Sequence, residues 1–302
     1  MVSREGLADI TLLGVSMIWG GTFPLIKVAL QDVSPYVFLF LRFLIASIIL
    51  VAVFRKEMVS TSREALQSGL LIGAFIFIGY MTQTVGLKYT TASKSGFITG
   101  LYVVFTPILS YPILRITLPR KRILAVLLAF TGLFLLSEID LVSLNMNYGD
   151  FLTLVCAVAF AFSVVLISKY AREFNPSVLA TTQTITTWIL CTLSWAILEP
   201  PLLPKSGTAW VAIFITAVFA TSLAFLAQNY AQKHTTATKA AIIFTAEPVF
   251  ALIISSATLG ETLSQKGILG AALIIAGMLL SQLAGKEVNK RDNVRRPSLS
   301  LH

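Results

Sequence analysis

The chain has 302 residues, of which 56% are hydrophobic and only 12% charged, and its mean hydropathy is +0.83. Soluble domains carry roughly 25% charge, so this composition leaves too little polar surface to coat a water-soluble globule. A formal net charge of +9 invites a nucleic-acid reading, but the basic residues sit between long apolar runs and in the tail, where they report membrane topology.

In chain order, apolar runs fall at 7–28, 35–54, 65–87, 93–115, 120–138, 148–171, 177–198, 207–231, 237–258 and 264–284. Each is near the roughly 20 residues an α-helix needs to cross ~30 Å of hydrocarbon. The first run holds Trp19, Gly20, Gly21 and Pro24 and has no small-x-small cleavage site, so it reads as a span, not as a removable leader. The joining segments are short, which predicts antiparallel neighbours. Cys156 and Cys191 both fall inside apolar runs and read as buried, inert thiols. The segment 285–302, GKEVNKRDNVRRPSLSLH, is polar and basic and predicts a disordered, solvated tail. The expected class is an all-α membrane protein with ten transmembrane helices.

Lys and Arg placement orients those helices. With a cytoplasmic N-terminus, seventeen of the 23 basic residues fall on the cytoplasmic side. Five, Lys27, Lys88, Lys94, Lys205 and Lys266, fall on the other, and Arg42 lies within a span. The bias predicts both termini inside, and with no cleavable leader it fits a bacterial inner (plasma) membrane.

The two halves resemble each other. Asp9 and Pro35 match Asp150 and Pro176 at an offset of 141. KYTTASKSG (Lys88 to Gly96) matches KHTTATKAA (Lys233 to Ala241) at an offset of 145, and LPRKRILAVLLAFTG from Leu118 matches LSQKGILGAALIIAG from Leu263 at the same offset. Pro107 and Pro248 return to 141, a shift of about one helical turn. Five spans is an odd number, so the second repeat is expected upside down relative to the first. Such inverted repeats belong to transporters that rock about a site near the midplane. The expected units are a first repeat at 1–141, a second, inverted repeat at 142–284 and the tail at 285–302.

WGGTFPLIK (Trp19 to Lys27), Pro35 followed by Arg42-Phe43, EPVFA (Glu247 to Ala251) and LGETL (Leu259 to Leu263) resemble the drug/metabolite transporter superfamily of the EamA type. The resemblance runs from about Gly6 to Ala284. It implies a ten-helix exporter or facilitator with a central cavity and, among the branches, an amino-acid exporter, with aromatic amino acids the candidate substrates.

Polar groups inside a bilayer need a partner or a wet cavity. Glu247 sits mid-span directly before Pro248, which removes a backbone donor and can open the helix. Glu247 reads as a proton-coupling carboxylate, as a contact for a substrate amine, or as a protonated side chain bonded to a neighbouring helix. Its counterpart at offset 145 is Tyr102. Arg42 is a candidate for a substrate carboxylate or for pairing with Glu247, and equally a structural group bound to carbonyls. Tyr80 and Gln83 share a helical face; Ser95, Thr99, Tyr102 and Thr106 form a stripe on the fourth span; Thr221, Phe225, Gln228 and Gln232 form one on the eighth, with Asn229 beside it. Such stripes line cavities or join helices. Gln83 and Gln228 are repeat-related, as are Trp19 with Phe160 and Thr22 with Ser163. Trp19, with Phe23 one turn on, offers aromatic wall for an apolar substrate. The candidate substrate-binding set is therefore Trp19, Phe23, Tyr80, Gln83, Thr99, Tyr102, Phe160, Ser163, Gln228 and Asn229, with Glu247 and Arg42. The TTQTITTW run (Thr181 to Trp188) is unusually polar and has no assigned role. Gly69 with Gly73, and Gly96 with Gly100, are spaced for close helix contact.

The function expected is secondary transport or facilitated export of a small metabolite, most simply an amino acid, by alternating access; a nucleoside, sugar or amine is the alternative cargo. An intramembrane enzyme or an assembly subunit is the non-transport alternative. Chemistry needs a nucleophile with a base or a metal cluster, and the two histidines, His234 and His302, stand in a loop and at the terminus. No catalytic or metal residue, cofactor or nucleic-acid partner is expected. The expected partners are the substrate and the lipid bilayer, with the protein a monomer or weak homo-oligomer.

Overall fold

A computed structural model describes residues 3–90, 92–137, 146–199, 203–259, 264–284 and 288–289, with the side chains of 23, 24, 27, 92, 93, 255–259, 288 and 289 outside that set. Almost everything described is helical. The first repeat contributes α1 (Arg4–Ala29), α2 (Pro35–Val59), α3 (Arg63–Gly86), α4 (Ala92–Gly100), α5 (Tyr102–Leu114) and α6 (Arg120–Leu136). The second contributes α7 (Tyr148–Tyr170), α8 (Pro176–Leu198), α9 (Gly207–Ile215), a π-helical segment (Thr216–Leu223), α10 (Ala224–Gln232), α11 (Ala237–Phe244), α12 (Ala246–Leu259) and α13 (Gln265–Leu283).

The helix starts are written locally. Ser3, Ser34, Ser62, Asn147, Ser206 and Ser264 each cap a helix with a side-chain oxygen that accepts an orphan backbone N–H. Pro35 and Pro176 follow their caps at the first helical position, where a missing N–H costs nothing. Asn147 and Asp150 close a reciprocal capping box.

Seven described stretches are long and apolar enough to cross a membrane. The expected spans at 7–28, 120–138 and 177–198 fall outside these seven. For the second, α6 has 17 residues; for the third, the threonine-rich run thins the apolar character of α8. The fourth span of each repeat is interrupted, at Leu101 between α4 and α5 and at Thr245 between α11 and α12. The second break lies just ahead of the expected Glu247–Pro248 position. Pro248 thereby falls in the first turn of α12, where its missing donor is tolerated.

Two short strands add to the all-α expectation: β1 (Ile116–Thr117) pairs antiparallel with β2 (Val288–Asn289), tying two residues of the predicted tail to the α5–α6 connection. The rest of 285–302 lies outside the described residues, as do 260–263 of the LGETL motif.

Small residues set the closest crossings. A methyl on Gly20 would stand 2.4 Å from the Glu247 carbonyl oxygen, so α1 and α12 touch backbone to backbone. Gly73 of α3 meets the Gln183 backbone and the Thr186 side chain of α8, and Gly69 meets the Thr182 side chain. Gly96 meets nothing within 4 Å, so only the first of the two predicted glycine pairs makes contact through both members.

Candidate functional site

The helices converge on a narrow cavity of about 80 Å³. Trp19 and Thr22 of α1, Tyr80 and Gln83 of α3, and Thr99 and Tyr102 of the fourth span form one part of its wall. Their repeat counterparts Phe160, Ser163, Phe225, Gln228, Phe244 and Glu247 form the other. Six pairs of positions at offsets 141 and 145 thus face one space. Arg42, Ile26, Ile76 and Val164 complete the wall.

The aromatic groups interlock. Trp19 lies 5.2 Å from Phe244 and 6.5 Å from Phe225 between ring centres, and Tyr80 lies edge-on to Phe160 at 5.2 Å. Edge-on and tilted pairs exploit the positive rim and negative face of each ring. Trp19 is further fixed by its indole N–H, which donates to the Ala220 carbonyl at 2.9 Å.

That carbonyl is available because residues 216–223 are wound as a π-helix, a form common at functional sites. Within it, the Thr221 and Ser222 hydroxyls donate five residues back, to Thr216 and Ala217. The same turn receives Arg42, whose Nε donates to Thr221 Oγ1 at 2.7 Å and Nη2 to the Ala220 carbonyl at 3.3 Å. The guanidinium lies over the Tyr80 ring at 4.8 Å, and Nη2 also reaches the Tyr80 hydroxyl at 3.5 Å. Its Nη1 group makes no hydrogen bond among the described residues.

Glu247 is partly exposed to the cavity. Among the described residues no hydrogen bond or ion pair reaches its carboxylate. Of the alternatives for Arg42, pairing with Glu247 is not formed among the described residues, and the π-helical turn supplies a hydroxyl and a backbone carbonyl instead.

Gln83 donates to Thr99 Oγ1 at 3.2 Å. Gln228 donates to Gln232, whose own amide bonds the Val164 carbonyl and Ser168. The Ser163 hydroxyl folds back onto the Phe160 carbonyl. Asn229 does not line this cavity. It faces away from the cavity, is 0% exposed, and donates to the Phe225 carbonyl at 2.8 Å. The Phe23 side chain lies outside the described residues. Phe244, absent from the candidates, had a readable signal: it is the repeat counterpart of Thr99.

Ile26, Arg42, Tyr80 and Gln83 are shared with a vestibule of about 590 Å³. Its walls are the α1–α2 turn, with Leu30, Gln31 and Pro35, and the start of the α3–α4 connection, with Leu87, Lys88 and Thr90. The opposite end is shut. There Lys239, 3% exposed, pairs with Asp9 at 2.7 Å and Glu5 at 2.8 Å. Thr235 donates to Asp9, Arg172 donates to the Thr235 carbonyl at 2.8 Å, and the Ser177 and Tyr230 hydroxyls meet at 2.8 Å. Arg122 adds a bond to Thr236 at 2.9 Å.

An Archaeoglobus fulgidus protein named an uncharacterized transporter is 37% identical over 91% of this chain and 86% of its own length. The Bacillus subtilis protein named uncharacterized transporter YyaM is 30% identical over 89% of this chain and 92% of its own. A protein of known crystal structure, 17% identical, shares the fold with a TM-score of 0.77 over 91% of this chain and 96% of its own. Both relatives' names point to transport. The EamA-like transporter family matches residues 6–138 and 147–283, and with nearly the whole chain covered by that match, the protein is a multi-pass membrane transporter that belongs to this family.

Proposed function

We propose that the chain is a secondary transporter or facilitator that exports amino acids, aromatic ones foremost, by alternating access to the central cavity. The carrying observation is that one cavity, walled by six repeat-related pairs, holds a carboxylate and a guanidinium Nη1 group that have no hydrogen-bond partner among the described residues, beside an aromatic lining. A zwitterion with an apolar side chain complements those three features. Arg42 takes the carboxylate through a charge-assisted hydrogen bond. Glu247 takes the ammonium group, and its titration links transport to a proton gradient.

In this reading the helices, joined across the breaks at Leu101, Thr245 and the π-helical segment, form ten membrane-crossing rods in two inverted sets of five. The vestibule opens at the end bearing Lys88, where basic residues are sparse, so the conformation faces outward and both termini are cytoplasmic. Small-ligand sites usually measure ~300–1,000 Å³. The vestibule is in that range and the inner cavity of about 80 Å³ is not. The substrate therefore spans the two spaces, which share Arg42, Tyr80 and Gln83, and does not fit within the inner cavity alone.

The test is flux of labelled tryptophan, phenylalanine and threonine into proteoliposomes, with and without a pH gradient, with a nucleoside as out-group. Saturable flux of the aromatic amino acids that competes among them is expected. Glu247→Gln is expected to retain flux and lose its dependence on the gradient. Folded protein that moves none of the amino acids would overturn the substrate assignment.

A further inference from the structure

The two connected spaces differ in charge. Glu247 lines the inner cavity and not the vestibule. The vestibule wall carries two cations, Lys88 and Arg42, and no carboxylate among the described residues. The acids closest to its lining in the chain are engaged or lie off the wall. Asp150 pairs with Lys94 and accepts from Thr90, as Asp9 pairs with Lys239 and accepts from Thr235 at the shut end. Glu199 accepts from the Ser34 hydroxyl. Asp32, next to Gln31, is exposed and does not line the space. Lys88 is itself exposed, and no hydrogen bond or ion pair reaches its ammonium among the described residues.

The two cations stand at opposite ends of the space. Arg42 and Tyr80, in contact at 4.8 Å, form its floor. Pro35 is two turns from Arg42 along α2, and Lys88 is two turns beyond Tyr80 at the end of α3, so the rim stands roughly 10 Å above the floor. Between floor and rim the wall is largely apolar, with Leu30, Phe38, Leu39 and Leu87. A volume of about 590 Å³ admits one aromatic ring with a short chain. At the floor a carboxylate meets guanidinium Nη1, which has no hydrogen-bond partner among the described residues, in a charge-assisted bond. An ammonium group in the same space meets two like charges and no acid.

We propose that the vestibule is a binding site for apolar monocarboxylates that carry no ammonium group, such as arylpropionic acids and aromatic 2-oxo acids. The carboxylate turns down to Arg42 and the apolar body rests against Leu30, Phe38, Leu39 and Leu87. Lys88 at the rim adds a second positive charge that draws the anion in, a long-range effect that salt screens. The site shares Arg42 with the amino-acid reading above, but it depends neither on Glu247 nor on that substrate assignment. A zwitterion gains from its ammonium group only by reaching Glu247 in the inner cavity, whereas an apolar acid is held by the vestibule alone.

Phenylpropionate, phenylpropionamide and phenylethylamine share one ring and differ in the charge of the terminal group. Each is titrated by calorimetry into the full chain in nanodiscs of phosphatidylcholine, a lipid without net charge. Phenylpropionate is expected to bind saturably and about tenfold or more tighter than the amide, the effect of a hydrogen bond to a charged group. Phenylethylamine is expected not to bind, and added salt to weaken the acid alone. Lys88→Gln is expected to weaken the acid by about threefold to fivefold, the upper range for an exposed charge, and Lys88→Glu to weaken it further. Neither variant is expected to shift the thermal melt, because Lys88 holds no partner among the described residues. Equal affinity for acid and amide, or an affinity for the acid that Lys88→Glu leaves unmoved, overturns the site. Lys88-dependent binding of the acid in protein that moves no amino acid keeps the site and removes the substrate assignment above. Amino-acid flux without binding of the acid does the reverse.

Discussion

Arg42 serves three neighbours with one guanidinium: the Thr221 hydroxyl, the Ala220 carbonyl and the face of Tyr80. A lysine ammonium has neither the planar fork nor the stacking surface for this. Arg42→Lys is therefore expected to raise KM for a zwitterionic substrate about tenfold or more, read from proteoliposome uptake. Glu247 tests the other charge. Competition separates the two groups: in Glu247→Gln, phenylethylamine is expected to lose its inhibition of tryptophan uptake while phenylpyruvate, which lacks the amine, keeps its own. Equal loss for both would place Glu247 in the scaffold. Much of the site was legible at this scale because a polar side chain in an apolar span, paired with a polar counterpart in the other repeat, has few places to go. Gln83 with Gln228 is the clear case. Asn229 sits beside Gln228 on the same helix, but neighbouring positions there point about 100° apart, so only Gln228 reaches the wall of this cavity.

At the scale of elements, α8 resolves its own anomaly. Thr181, Thr184, Thr186, Thr187 and Thr192 each donate to the carbonyl four residues back, so these threonines are satisfied inside their own helix, while the Gln183 amide and the Trp188 indole N–H are buried without a partner among the described residues. Thr187 also reaches the Gly73 carbonyl at 3.1 Å, across the crossing with α3. The threonines that lower the hydropathy of α8 thus serve a close helix contact. A methyl on Gly73 would stand 2.6 Å from the Gln183 carbonyl oxygen. Gly73→Val is expected to lower Tm sharply in detergent or to abolish folding, because backbone cannot move aside as a flexible side chain can. Gly96, with nothing within 4 Å, is the contrast: Gly96→Ala is expected to raise stability by up to about 1 kcal/mol, seen as a higher Tm, through helix propensity alone. The sequence spacing of these glycines was the same, and only the facing helix distinguishes them. The π-helical segment was likewise invisible in sequence, since the Arg42 and Trp19 side chains that bond its Ala220 carbonyl come from other helices.

At the scale of the whole molecule, the repeats are held together at both ends by matching triads. Asp9 and Lys239 are nearly buried, and removing one member of a buried pair typically costs about 3–5 kcal/mol. Asp9→Asn is expected to lose somewhat less, because half-exposed Glu5 remains beside Lys239. A thermal melt showing no loss would rule out a stabilising role for the pair. The matched Asp, Lys and Thr positions were readable as a repeat, but their partnership was not. Asp9 precedes Lys239 by 230 residues, and no local pattern specifies a contact across that separation.

By itself the sequence determined the membrane class, the duplication, the caps that start the helices and most side chains that face the cavity. These follow from composition, offset and periodicity, which act within a few turns of chain. Tertiary structure alone decided that Arg42 and Glu247 stand apart, that Asn229 turns away from the cavity, and that one end is open while its counterpart is shut. Those outcomes depend on which acceptor lies nearest across two packed repeats and on small differences between near-equal halves, such as Arg172 against Gln31, whose effect exists only once both ends are assembled.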